Sequence, residues 1–134
     1  MRVDDSLREL RIRILLADDD LHFLQALETF LETTGRCSVV GQALSGLEAV
    51  ALASELRPDV ALVDFDMPGM TGVAVAQQIK QVAPHARVAI VTGYLWPEYA
   101  DTASQPWADA FITKDRLYDE LPLILERFAR ANQQ

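Results

Sequence analysis

Short apolar runs rich in Val, Ile and Leu recur along the chain at 11–17 (RIRILLA), 37–41 (CSVVG), 59–64 (DVALVD), 87–92 (RVAIVT) and 108–112 (ADAFI). Runs of this length and composition predict strands. The stretches between them carry helical spacing. Leu24, Leu27 and Leu31, flanked by Phe23 and Phe30, predict a first amphipathic helix. Ser45 and Glu48 fit a capping box that opens a second helix containing Leu47, Val50 and Ala51. Thr71 can cap a third, with Val75, Ile79 and Val82 along one stripe. Pro97 suits the first position of a short fourth helix that ends before Pro106. Leu121, Ile124, Leu125 and Phe128 give a fifth helix its apolar face. Proline in a helix interior costs about 3 kcal/mol, so this helix is expected to start near Asp119, with Asp119 as N-cap and Pro122 in the first turn. Strands and helices alternating five times predict an α/β architecture, (βα)5, doubly wound around a five-stranded parallel sheet with right-handed crossovers.

Composition narrows the function classes. A length of 134 residues suits a single domain. Twelve basic against 20 acidic side chains leave a formal charge of −8, which disfavours a grip on nucleic-acid phosphates and favours a metal ion or a basic protein face. The longest uncharged stretch is the 13 residues 67–79, too short for the roughly 18 a membrane helix needs. Arg2, Asp4 and Asp5 leave no room for a secretory signal, so the expected compartment is the cytoplasm. A single cysteine, Cys37, excludes an internal disulfide and a Cys-based zinc site and is read as a buried strand residue. His22 and His85 have no partner at metal-site spacing.

The chemistry gathers where the strands end. The first apolar run stops at Asp18-Asp19-Asp20, the third at Asp64 and the fourth at Thr92, which Gly93 follows. The fifth is followed closely by Lys114. In a parallel sheet these ends share the edge where ligands bind. Crowded carboxylates repel and raise one another's pKa unless a cation sits among them. Hard oxygen ligands of this kind suit Mg²⁺, and a carboxylate beside it can attack a phosphoryl group. An ammonium and a hydroxyl would then stabilise the transferring oxygens. Asp20 is read separately, as a cap facing the helix dipole.

The segments LLADDD, ALSGLEAV, PDVALVDFDMPGMTG, VAIVTGY and ADAFITKD occur in an order and at spacings that resemble the receiver domain of bacterial two-component response regulators, the CheY-like family. The resemblance runs from Ile14 to about Asp115 and, with the last helix, covers nearly the whole chain. It implies a flavodoxin-like strand order 2-1-3-4-5. It implies a receiver domain over 11–131, an N-terminal extension at 1–10 and a tail at 132–134. By this resemblance Asp64 is the phosphoacceptor, and Asp18 and Asp19 form the acid pair, Asp19 being the more direct Mg²⁺ ligand. Asp66 offers its backbone carbonyl to the metal, Thr92 is the switch hydroxyl, Lys114 pairs with the phosphoryl group, and Phe111 is the switch aromatic. Two positions depart from the common pattern: Asp66 adds a carboxylate two residues past the acceptor, and Gln105-Pro106-Trp107 replaces a small turn. Relatives tune dephosphorylation at the positions of Asp66 and Tyr94, which leaves the phosphoryl lifetime open.

The implied function is phosphorylation of Asp64 by a sensor histidine kinase or phosphotransfer protein. Thr92 would move toward the new anion and Phe111 would fill the space it leaves. The fourth helix, fifth strand and fifth helix would then present a changed surface to a downstream target or an output domain. Such a domain performs self-phosphorylation and slow autodephosphorylation rather than conventional turnover. Trp96, Tyr99, Trp107 and Tyr118 cluster near that surface and either mark it or pack down. Two alternatives stay open. Asp64-Phe65-Asp66 also resembles the nucleophile and acid of haloacid-dehalogenase-type phosphatases, although there the second acid cluster follows the nucleophile and here it precedes it. A phosphorylation-independent interaction module is the other, with the intact residue set against it. Direct binding to nucleic acid or membrane is not expected, a homodimer is open, and the chain is either a stand-alone receiver or a piece of a longer regulator.

Overall fold

Each apolar run pairs with its neighbours through parallel ladders. The computed structural model describes residues 11–93 and 108–132. Its strands are β1 (Ile12–Ala17), β2 (Cys37–Ala43), β3 (Val60–Asp64), β4 (Arg87–Thr92) and β5 (Ala110–Thr113), in the order β2-β1-β3-β4-β5. This is the order the resemblance implies. Helices α1 (Leu21–Thr33), α2 (Gly46–Leu56) and α3 (Gly72–Val82) connect the first four strands, and a C-terminal helix (Leu117–Asn132) follows β5. The expected fourth helix, with Tyr94, Trp96, Tyr99 and Trp107, lies outside the described residues.

Side-chain alternation along the strands divides the core into two. Ile12, Ile14, Leu16, Val60, Leu62, Val91 and Ile112 face α1 and the C-terminal helix. Leu15, Ala17, Ala61, Val63, Val88 and Ile90 face α2 and α3. Burial on both faces explains why the central strands read as continuous apolar runs. The helix caps follow the sequence: Asp20 accepts from the Phe23 N–H, Ser45 from that of Glu48 and Thr71 from that of Ala74. The Glu48 carboxylate reaches back one residue further than a standard capping box, to the N–H of Leu44 at 2.8 Å. In α2 the buried positions are Gly46, Ala49 and Ala53, while Leu47 is 75% exposed.

Two boundaries have a side-chain cause. Asp59 and Asp109 stand just before β3 and β5. Their carboxylates take ladder N–H groups of the neighbouring strand, Arg13 at 2.9 Å and Val88 at 2.7 Å. The carboxylate replaces a strand carbonyl there, so the regular ladders begin only at Val60 and Ala110. Asp109 also binds the Lys80 ammonium at 2.7 Å, which clamps α3 to the end of the sheet opposite the acidic residues.

The last helix departs from expectation. A 3₁₀ turn, Lys114–Arg116, leads directly into a helix that starts at Leu117, two residues before Asp119, so Pro122 lies beyond the first turn. Leu117 and Leu121 are fully buried four residues apart. Burying a leucine contributes about 1.5–3 kcal/mol, which offsets the proline penalty and draws the start forward. Pro122 itself points outward and is exposed.

Candidate functional site

The carboxyl ends of β1 and β3 deliver their carboxylates from the same side of the sheet. Asp18 continues the row of Ile14 and Leu16, and Asp64 that of Val60 and Leu62. Both are nearly inaccessible, at 2% and 7% exposure, while Asp19 is exposed. Each of the three can place an oxygen within 4.8 Å of the others. Lys114, at the start of the 3₁₀ turn, brings its ammonium to 3.2 Å from Asp18 Oδ2 and 3.7 Å from Asp64 Oδ1. Asp18 Oδ1 accepts the Asp20 N–H at 2.9 Å. Asp18 Oδ2 is buried and, despite the nearby ammonium, has no aligned hydrogen-bond donor among the described residues.

Burial and crowding leave this cluster short of positive charge. Burial pushes the Asp64 carboxyl up to about 6, and the charges of Asp18, Asp19 and Asp66 add to the rise against the opposing pull of Lys114. Burial likewise raises Asp18 above the ordinary carboxylate range, although the Asp20 N–H and Lys114 oppose it. For Lys114 burial works downward, but the attraction of Asp64 and Asp18 outweighs it and the net shift is upward. A buried carboxylate oxygen without an aligned donor, beside the Asp64 carboxyl whose pKa is raised, fits a hard divalent cation.

The loop after Asp64 is held by backbone contacts. Asp66–Met67 and Met70–Thr71 form a two-residue hairpin turned by Pro68 and by Gly69 at φ +82°. Proline followed by a left-handed glycine suits a type II turn. Phe65 N–H donates to Val91 O at 2.8 Å, and Gly72 N–H to Phe65 O at 2.6 Å. A Cβ on Gly72 would lie 2.7 Å from Phe65 Cα and 2.8 Å from Asp64 O. The Asp66 side chain is exposed on this hairpin.

Thr92 and Phe111 come from the other side of the sheet. Val91 pairs with Asp64, so Thr92 is one step further out, beside Thr113. Alternation puts Thr92 on the side of Ile90 and away from the carboxylate row. Phe111 pairs with Ile90 and packs, half-buried, on that same side. The sequence-selected residues Asp18, Asp19, Asp64 and Lys114 are therefore brought together. Thr92 stands at the rim on the opposite face, 6% exposed, and Phe111 lies below it along the sheet. Cys37 is buried, as expected, and His22 and His85 are exposed and outside the acid group.

Two contributors carry no direct signal in the sequence. Gly72 stands at the first position of a helix, where glycine's poor propensity is the only available signal. Phe23 reads as a flanking core residue, yet its ring centroid lies 4.5 Å from the Lys114 ammonium.

The family model for the response regulator receiver domain matches residues 14–126. The chain belongs to this family. The receiver domain is 34% identical over 110 residues to the uncharacterized transcriptional regulatory protein YvfU of Bacillus subtilis, covering 82% of this chain and 55% of that one. It is 34% identical over 103 residues to the response regulator protein VraR of Staphylococcus aureus, covering 77% and 49% respectively. It thus spans about half the length of the curated relatives it matches. It superposes on the response regulator domain of Thermotoga maritima CheB with a TM-score of 0.77 and 32% identity, covering 92% of this chain and 98% of the other. The receiver domain is a component of two-component signal transduction, and no helix among its described residues is long and apolar enough to cross a membrane.

Proposed function

We propose that this receiver domain accepts a phosphoryl group on Asp64 from the phosphohistidine of a sensor kinase or phosphotransfer protein, with Mg²⁺ as cofactor. Such a donor would place the domain in the cytoplasm. The observation that carries this reading is the approach of the Lys114 ammonium to both Asp18 and Asp64, at 3.2 and 3.7 Å, beside a carboxylate trio suited to a divalent cation.

Asp18, Asp19, Asp64 and the backbone carbonyl of Asp66 would hold the metal, which supplies positive charge beside the transferring oxygens. Asp64, with a pKa of about 6, is mostly ionised at neutral pH and available as nucleophile. Its free oxygen forms a bond to phosphorus as the phosphorus–nitrogen bond of the donor breaks, and the imidazole keeps the electron pair. Lys114 balances the charge of the acyl phosphate, and the Thr92 hydroxyl donates to a phosphoryl oxygen. Because Thr92 shares a sheet face with Phe111, its movement opens space that the ring can fill. The signal then passes to β5 and the C-terminal helix, and from there to a target protein or output domain. Water slowly returns Asp64 to the free acid.

Acetyl phosphate with Mg²⁺ is expected to add the mass of one phosphoryl group to the intact protein, and Asp64→Asn to abolish the gain. No gain in the parent protein, or an undiminished gain in Asp64→Asn, would overturn the reading. Beryllofluoride with Mg²⁺ is expected to shift the amide resonances of Thr92, Phe111 and the C-terminal helix. Shifts confined to the carboxylate rim would remove the coupling step.

A further inference from the structure

Lys114 takes part in a closed circuit of contacts. Its ammonium pairs with Asp18 Oδ2 at 3.2 Å. Asp18 Oδ1 accepts the Asp20 N–H at 2.9 Å, and Asp20 Oδ1 accepts the Phe23 N–H at 3.1 Å. The Phe23 ring in turn stands 4.5 Å from the ammonium. The carboxylates hold Lys114 on one side and an aromatic ring meets it on another.

We propose that Phe23 is a positioning residue that, fixed by the Asp20 cap, holds the Lys114 ammonium at the acid pair. The inference rests on the phosphotransfer reading of the site. A lysine ends in a compact, strongly hydrated charge on a flexible four-carbon stem. The Lys114 side chain is 37% exposed, so water competes with its two ion pairs for the ammonium. An aromatic face attracts the ammonium through its quadrupole and excludes water from one side of it. Phe23 can serve because the helix cap fixes its backbone and its ring packs against the core under α1. It also lines a small cavity beneath the site together with Asp18, Asp64 and Leu62. A purely aliphatic side chain would fill the core position but leave the ammonium without a π face. Asp20, otherwise an ordinary helix cap, thereby joins the machinery that orients Lys114.

The test compares Phe23→Leu, which keeps apolar bulk, with Phe23→Tyr, which restores the ring. The first readout is the ε-methylene proton resonance of Lys114 in the unphosphorylated protein, assigned by its loss in Lys114→Arg. Ring proximity should displace it from the free-lysine position in the parent and Phe23→Tyr, and Phe23→Leu should return it. The second is the rate of phosphorylation by acetyl phosphate with Mg²⁺. That rate should fall about three- to tenfold in Phe23→Leu and stay within about twofold of the parent in Phe23→Tyr. Phe23→Met replaces Phe23→Leu if the latter does not fold. An unmoved Lys114 resonance in Phe23→Leu, an unchanged rate, or equal slowing in both variants would each overturn the proposal. The resonance reports the contact whether or not Asp64 accepts phosphate, so failure here is distinguishable from failure of the phosphotransfer reading, which Asp64→Asn tests.

Discussion

At Gly72 the chain passes so close to Asp64 that no side chain fits. A methyl group there would meet backbone atoms at 2.7 and 2.8 Å, whereas one at Gly93 would meet nothing among the described residues within 4 Å. Backbone cannot yield as a flexible side chain can, so Gly72→Ala is expected to destabilise the fold by about 2 kcal/mol and Gly93→Ala to stay within about 0.5 kcal/mol. Urea unfolding of the two variants checks both. Asp64 carries a second expectation. Its folded-state pKa of about 6 exceeds the ordinary 3.8, so the folded protein binds this proton more tightly than the unfolded chain. That stabilisation is complete below about pH 4 and is lost as pH rises through about 6. The metal-free protein should therefore melt higher at pH 5 than at pH 7. Asp64→Asn should raise stability at pH 7 by about 1–2 kcal/mol, allowing for solvent screening at the rim, and flatten the profile. Thermal melts across that range decide it. The charged site residues were legible in the sequence because carboxylates and a lysine at strand ends have few structural reasons to converge. Gly72 and Phe23 were not, because closeness of backbones and placement of a ring over an ammonium exist only once the strands have paired.

Among the elements, the strands were legible because their alternating faces are both buried. Their ends were less so: Asp59 and Asp109 substitute side-chain oxygens for backbone ones, and β2 runs on to Ala43, past a register shift opposite Ile14 and Leu15. In α2, alanines and a glycine occupy the buried stripe, so its hydrophobic pattern points the wrong way at Leu47. The C-terminal helix starts two residues before the point that proline's local cost predicts, because the burial of Leu117 is a tertiary effect. Pro122 cannot donate to the carbonyl four residues before it, and its side chain is exposed. Pro122→Ala restores that hydrogen bond while giving the unfolded chain more freedom, for a net gain of about 1–2 kcal/mol. Thermal unfolding is expected to shift upward by several degrees, without change in the phosphorylation rate.

For the molecule as a whole, a formal charge of −8 and the raised pKa values of Asp18 and Asp64 predict that a divalent cation bound at the acid cluster acts as a folding ligand. Mg²⁺ at a hundredfold its dissociation constant should add about 2.7 kcal/mol of stability. The increment should shrink at pH 5, where protons compete for Asp64, and vanish in Asp18→Asn. Calorimetry with and without the metal measures this directly. The two-sided sheet has a further consequence. Asp18, Asp64 and Lys114 stand on one side of a wall of interlocked strands, and Thr92 and Phe111 on the other. On the proposed phosphotransfer reading, a message from Asp64 to Phe111 crosses over the wall's upper edge, where Thr92 stands. Thr92→Val, which keeps the branched shape without the hydroxyl, is expected to leave every carboxylate standing and to remove the beryllofluoride shifts of Phe111 and the C-terminal helix. Such a protein could still be charged, but it would be mute.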